Sequence, residues 1–355
     1  MLTQKELDEF KDALLSTKRP LIYYDDDCDG LSSFLLFYRF LKNHCEDIKG
    51  VAVKSTPELQ GELFLRKIDE FSPDKVFILD KPLVSQEFID AIKVPLYWLD
   101  HHPLQNHTGV HYFNPLKHPD PHHVPDNRPT TYWAYRILGE DAKDDLWIAM
   151  TGCTADWFIP EFKDEFSAMY PYLLPPNLKI RNPGTLLFEA DIGTLATIFQ
   201  FALKGSTTET NSCVKILTRI NDPYEILNKT TSQGKFVYKH YQKINAIYER
   251  IRAGVKVTRS KLIYYAYEDT HSMTGDISNE LNYFYPDKFI LIARIKGDRR
   301  ICSLRSEKLN VRAILEKALV GINGHGGGHE HACGASVIAT DFDTFLGRIR
   351  EQLKK

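Results

Sequence analysis

The sequence predicts an α/β protein in two parts: a first domain on a mostly parallel sheet and a smaller second α/β domain, joined by a helical linker. Three observations predict this. Short apolar runs alternate with helical patterns through the first half, residues from about 190 to 255 read as helical throughout, and β-rich segments return afterwards. Strands alternating with helices at this spacing form βαβ units and a parallel sheet.

"KRPLIYY" reads as a buried strand and "LSSFLLFYRFLKN" as the helix after it. "GVAVK", "KVFILD" and "PLYWLD" are further strands, interleaved with helical "GELFLRKIDEF" and "SQEFIDAI". "YWAYRIL" and the apolar "DLWIAMTGCTADW" follow as helices, and "GKFVYKHYQKINAIYERIRAG" is the longest helical pattern, a spacer between domains. The later strands are "VKVTRSKLIYYAYE", "KFILIARIKGD", "RRICSLRS" and "GASVIAT". The expected boundaries are 1–190, 191–255 and 256–355.

The 355 residues are 43% hydrophobic with a net charge of −2, so no global basic field points to nucleic acid and any such contact needs a local patch. Cys28, Cys45, Cys153, Cys213, Cys302 and Cys333 are scattered without a CxxC pair, which argues against a zinc ribbon or disulfide framework and for a reducing compartment. The start, "MLTQKELDEFKDALL", is charged and amphipathic, unlike a secretory signal. No apolar run approaches the ~20 residues of a membrane helix. The expectation is a cytoplasmic protein with no membrane partner.

"DDDCDG" places Asp25, Asp26, Asp27 and Asp29 where a strand turns into a helix. A helix start tolerates one or two anions. Unit charges ~4 Å apart repel by about 4 kcal/mol at an effective dielectric near 20, so a cation is missing from the sequence. Asp80 and Asp100 end two other strands, and Asp156 ends the apolar helix. Ligands of open parallel sheets gather at the carboxyl ends of the strands. Hard divalent cations take carboxylates, and imidazole suits manganese, iron or zinc. Asp27, Asp29, Asp80, His101 and Asp156 would fill two coordination spheres, and two ions ~3.5–4 Å apart clamp in-line attack on phosphorus. Singly, each Asp reads equally well as a loop cap.

"LDHHP" (Leu99 to Pro103) resembles the signature of the DHH phosphoesterase superfamily. "DDDCDGLSS" resembles its first motif, and "ILD" at Asp80 and "GCTAD" at Asp156 its second and fourth. "GHGGGHEHACGAS" (Gly324 to Ser336) and "SLRS" (Ser303 to Ser306) resemble the Gly-rich-His and arginine motifs of the DHHA1 domain. Asp25, Asp27, Asp29 and Gly30 reproduce the Asp-x-Asp-x-Asp-Gly pattern of the RecJ branch, whereas Tyr23 stands where pyrophosphatases and nano-RNases carry His. The resemblance implies a DHH domain, with a DHHA1 domain closing over its cleft. It implies metal ligands at Asp27, Asp29, Asp80, His101 and Asp156, with Asp25 a ligand or close neighbour. His102 would contact the scissile phosphate, and Asp100 would orient a histidine. The implied activity is that of an exonuclease on single-stranded DNA or RNA, using two Mn²⁺ ions with Mg²⁺ as the alternative. Short oligonucleotides are alternative substrates, and replication or repair proteins further partners. Bacterial RecJ adds an OB fold and another domain, for which 355 residues leave no room, so polarity is not carried over. Two other readings stay open: a small-substrate phosphoesterase (nano-RNase or dinucleotide phosphodiesterase), and a Cdc45-like replication-associated binding protein.

Glycines let backbone N–H groups approach an anion, and an arginine offers phosphate a bidentate fork. Arg305, Ser303, Gly326, Gly327, Gly328 and His329 are therefore the candidate substrate-binding residues, with His325 and His331 alongside. By itself the Gly–His run reads as a flexible turn before the last strand. His118, His122 and His123 read as a solvated loop first and a metal site second. Tyr23, Tyr24, Tyr38, Tyr112, Tyr132, Trp133 and Trp157 read as core first and base-stacking platforms second. The Lys and Arg residues of the longest helix read as a solvated face before a channel lining.

Overall fold

The computed structural model describes residues 1–54, 58–118 and 126–354. The chain divides into two compact units, Met1–Tyr241 and Gln242–Lys355.

The first unit opens with α1 (Gln4–Leu15), β1 (Pro20–Asp25), α2 (Cys28–Leu41), β2 (Lys49–Val53), β3 (Glu58–Leu59), α3 (Glu62–Phe71), β4 (Lys75–Leu79), β5 (Leu83–Val84), α4 (Gln86–Ala91), β6 (Leu96–Leu99) and β7 (His111–Phe113). The main sheet runs β2-β1-β4-β6-β7 with every pairing parallel, and β3 pairs with β5 apart from it. Side chains alternate across a strand, so a sheet covered on both faces needs apolar residues at every position. Ile22, Tyr24, Phe77, Leu79 and Leu99 face one core, shared with α1 and α2. Leu21, Tyr23, Val76, Ile78 and Trp98 face another, closed by Phe64 and Ile68 of α3 and Phe88 and Ile89 of α4. Each such buried side chain contributes about 1.5–3 kcal/mol.

The aromatics weighed as base platforms are taken up by this packing. The Tyr23 hydroxyl donates to the Phe64 carbonyl at 2.6 Å, and Tyr24 stacks on Phe34 at 4.6 Å. Tyr112 stacks on Trp98 at 4.2 Å, Tyr132 and Trp133 are buried, and Trp157 packs edge-on against Phe188. Tyr38 packs against the first core.

Helices complete the unit: α5 (Thr130–Leu138), α6 (Leu146–Ala155), α7 (Lys163–Met169), α8 (Pro183–Glu189), α9 (Asp191–Ala202), α10 (Thr207–Leu217) and α11 (Pro223–Leu227). Residues 191–241, expected to be linker, lie within this unit. The reason is that α9 is apolar, and Ile192, Leu195, Ile198 and Phe199 bury in the first core. The longest helix, α12 (Ser232–Ala253), crosses the division between units, with Val237, Ile244 and Ile251 buried seven residues apart. Its Arg250 and Arg252 pair with Asp269 and Glu280. His118 pairs with Glu6 at 3.1 Å, whereas His122 and His123 lie outside the described residues.

The second unit contains β8 (Leu262–Glu268), α13 (Thr274–Phe284), β9 (Phe289–Lys296), β10 (Arg299–Arg305), α14 (Val311–Leu319), β11 (Gly324–Gly328), β12 (Ala332–Ile338) and α15 (Phe342–Lys354). Its sheet runs β11-β12-β10-β9-β8, antiparallel except for β8 with β9. Cys302, Leu304, Cys333, Ala335 and Val337 bury one face against Leu315 of α14 and Phe345 and Ile349 of α15. The Gly-rich run is not a turn. It is an edge strand, because antiparallel pairing with β12 satisfies a backbone that has no side chains to bury. Among the described residues, no helix is long and apolar enough to cross a membrane.

Candidate metal centre

The junction of β1 and α2 is tight for a stated reason. A Cβ on Gly30 would lie 2.7 Å from both the backbone N and O of Asp25, so only glycine lets the first turn of α2 close onto the strand end. Asp27 caps that helix, its Oδ1 accepting from the Gly30 N–H at 2.9 Å. Asp29 follows in the first turn and is buried. Asp80 comes directly after β4 with a φ of 61°, in the left-handed region, while its N–H still donates to the Leu99 carbonyl at 2.9 Å. A non-glycine residue there costs about 1–3 kcal/mol, a strain that tends to gather at functional positions.

His101 and His102 follow β6. Asp100 is fully buried and holds His102 firmly: its carboxylate takes the ring Nδ1 at 2.7 Å and the backbone N–H at 3.1 Å. The amide of Asn114 and the hydroxyl of Tyr112 donate to it as well, at 3.3 and 3.4 Å. A carboxylate at Nδ1 fixes the tautomer and directs Nε2 away from the strand. His101 stands at the centre of the cluster. Its Nε2 lies 3.4 Å from Asp80, 3.8 Å from Asp29 and 3.8 Å from Asp156 at the end of α6. Two donor triads share it: Asp80 with His101 and His102, and Asp29 with His101 and Asp156, each with ligand atoms within 4.8 Å of one another.

Burial and crowding push Asp27, Asp80 and Asp156 toward their protonated forms. Asp27 is pushed up to about 7, by burial first and then by Asp25 and Asp29. Asp80 and Asp156 are raised well above the ordinary carboxyl range, again by burial and then by neighbouring carboxylates. Burial opposes the charge on His102, but the Asp100 hydrogen bond together with Asp100, Asp27 and Asp25 raises its pKa. Such a cluster fits divalent cations: oxygen and imidazole donors surround charge that only protons or metal ions can balance.

Three groups in the cluster escape a reading of the sequence. Lys81, fully buried, sets its Nζ 2.6 Å from Asp25 Oδ1. The first two N–H groups of α5, from Thr130 and Thr131, donate to the two oxygens of Asp29 at 2.8 and 2.7 Å, and the Thr130 hydroxyl donates to Asp80 at 3.0 Å. Gln200 of α9 accepts the Cys28 N–H at 3.0 Å, occupying a free donor at the start of α2. A lysine after a strand and threonines at the start of a helix look the same in sequence whether they face solvent or a carboxylate.

The remaining candidates lie in the second unit. Arg305 ends β10, donating to Asn279 Oδ1 at 2.7 Å and to the carbonyls of Leu304 and Cys333 at 2.9 and 3.2 Å. Burial lowers its pKa to about 10, so it stays cationic at neutral pH. Ser303, Gly334 and Gly327 align across β10, β12 and β11, on the face away from α14 and α15. A Cβ on Gly327 would meet nothing within 4 Å. Gly326 and Gly328 differ, since a Cβ there would lie 2.7 and 2.4 Å from β12 carbonyl oxygens. His329 is exposed, its N–H donating to the Ala332 carbonyl at 2.8 Å, and His331 Nδ1 lies 3.0 Å from the Ser306 carbonyl.

The chain thus pairs a parallel-sheet unit, bearing carboxylate and imidazole donors at its strand ends, with a separate, mainly antiparallel unit bearing a bare glycine face. Residues 259–355 match the family model of the DHHA1 domain, and the chain has the RecJ-like DHH plus DHHA1 fold. RecJ from Thermus thermophilus, solved with Mn²⁺, superposes with a TM-score of 0.72 at 16% identity, covering 100% of this chain and 55% of that one. The chain therefore spans about half the length of that RecJ. An exonuclease RecJ bound to manganese gives 0.63 at 14% identity, covering 100% and 95%. A DHH domain from a protein described as belonging to a family of ribosomal proteins gives 0.68 at 14% identity, covering 99% and 90%. No curated protein sequence matches the chain.

Proposed function

We propose that this chain is a divalent-metal-dependent phosphodiesterase that hydrolyses single-stranded DNA or RNA from an end, with Mn²⁺ as its ion and Mg²⁺ as the alternative. One observation carries the reading: Asp29, Asp80 and Asp156 surround the His101 Nε2 at 3.4–3.8 Å, and burial raises the pKa values of Asp80 and Asp156. The fold supports it, since RecJ structures of this fold are described in complex with Mn²⁺ or Mg²⁺. When bound, such ions supply positive charge to phosphoryl oxygens and lower the pKa of water.

Asp27, Asp29, Asp80, His101 and Asp156 would hold the ions. Thr130 and Thr131 aim Asp29 through its two oxygens, and the Thr130 hydroxyl does the same for Asp80. His102 turns its Nε2 toward a phosphate oxygen, and Asp100 stabilises its cationic form. In the second unit Arg305 and Ser303 would anchor a substrate phosphate, with Gly326, Gly327, Gly328 and His329 beside them.

The test is digestion of end-labelled DNA and RNA strands of graded length with Mn²⁺ or Mg²⁺, with either end blocked. Stepwise shortening of long strands is the expected result. Cleavage of two- to five-mers alone would replace it with a small-substrate phosphoesterase, and no metal-dependent cleavage at all would overturn the reading.

A further inference from the structure

Lys81 is the only fully buried lysine or arginine among the described residues, and it sits inside the carboxylate cluster, next in sequence to Asp80. Its Nζ meets Asp25 Oδ1 at 2.6 Å, and its carbonyl accepts the indole N–H of buried Trp98 at 3.1 Å. A buried ammonium persists only when it is paired, so this contact is a fixed part of the site. Charge balance assigns it a role. With Asp25 neutralised by Lys81, the carboxylates left among the expected metal ligands are Asp27, Asp29, Asp80 and Asp156. Their four negative charges match two divalent cations, with the Asp25–Lys81 pair adding no net charge. Geometry adds a second role. Gly30 packs directly on the Asp25 backbone, so whatever fixes Asp25 also fixes the first turn of α2, which carries Asp27 and Asp29.

We propose that Lys81 is a built-in cation that withholds Asp25 from the metal ions and positions the Asp27–Asp29 turn before any ion arrives. The inference rests on reading the cluster as a metal site. Asp25, which the motif resemblance leaves as either ligand or neighbour, becomes the partner of a lysine.

The full chain and its Asp25→Asn, Lys81→Met and doubly substituted variants would be compared by Mn²⁺ titration (calorimetry with electron paramagnetic resonance) and by melting of the metal-free protein. Asp25→Asn is expected to bind two ions per chain, each within about threefold of the parent affinity, because the group removed touches no ion. Lys81→Met leaves the half-buried Asp25 without its ammonium partner, so the metal-free melting temperature falls and the gain on Mn²⁺ saturation exceeds the parent's. The double variant recovers most of that loss. Loss of one ion in Asp25→Asn, or a drop of more than about 30-fold in affinity, would make Asp25 a ligand and overturn the proposal. So would a Lys81→Met protein that melts and binds like the parent. If Lys81→Met does not fold, the ion count in Asp25→Asn decides alone. A parent chain that binds no Mn²⁺ refutes the metal reading itself. In that case the double-variant cycle in metal-free protein still measures whether Lys81 and Asp25 act as a pair.

Discussion

The strand ends of the first unit and the glycine face of the second are both polar, yet they are built on opposite terms. In the first, the charged groups are held by named partners: Asp29 by α5, Asp25 by Lys81, His102 by Asp100 with Asn114 behind it. The result is a rigid, largely buried excess of negative charge. In the second, the bare stretch is exposed backbone on an edge strand, next to a single anchored arginine. A buried, over-constrained anionic cluster selects for cations of fixed number and geometry, whereas an exposed edge with a cation beside it suits an extended anion. On the proposed function, the rigid cluster takes the metal ions and the open backbone a chain of phosphates.

The contrast breaks most visibly at Asp80. Asp80→Asn keeps a residue that tolerates the left-handed φ of 61°, which alanine would not. Metal-dependent cleavage should fall by about a thousandfold or more, the scale expected when a charge-stabilising group is lost. The metal-free protein should nevertheless melt higher, because folding no longer has to bury an ionisable carboxyl among others. Wild-type cleavage rates in the variant, measured on a labelled strand, would remove Asp80 from the site.

Acidity should separate the two regions next. Asp27 in the folded chain titrates at about 7 against an ordinary 3.8, so the folded state keeps a proton that the unfolded state has lost over that interval. Stability of the metal-free protein therefore declines as pH rises through that window, and the raised values of Asp80, Asp156 and His102 act in the same direction. We expect the metal-free protein to melt lower at pH 8 than at pH 5.5, by about 5 °C or more, with saturating Mn²⁺ restoring the difference. A melting temperature that rises with pH in the absence of metal would show that the cluster carries no such strain.

Arg305→Gln should raise KM for a short labelled strand by about tenfold, the equivalent of ~1.4 kcal/mol, while leaving Mn²⁺ affinity unchanged. Equal losses in metal binding and KM would mean that the two regions do not divide the work. The smallest effects test the glycines. Gly327→Val points into open space and should leave melting within about 2 °C while weakening strand binding a few-fold, whereas Gly326→Val drives a Cβ to 2.7 Å from the Gly334 carbonyl oxygen. Overpacking of that kind costs about 1–3 kcal/mol, so Gly326→Val should lower the melting temperature by several degrees. The reverse ranking would place the binding face on the other side of β11.

The sequence by itself determined the α/β class, the parallel order of apolar strands and the crowding of carboxylates at their ends. Strand periodicity and repulsion between neighbouring charges are local properties, written into adjacent residues. "DDDCDG" announced a missing positive charge. Tertiary structure alone decided what supplies part of that charge. Lys81 comes from a different strand end, 56 positions from Asp25, and no local pattern tells a buried lysine from a solvated one. It also decided that Tyr23 and Tyr24 face opposite cores, that the helices after residue 190 join the first unit, and that the Gly–His run is a strand. Burial, cross-strand pairing and the partner of a charged group depend on what the rest of the chain brings alongside, and that is a property of the packed molecule, not of the segment.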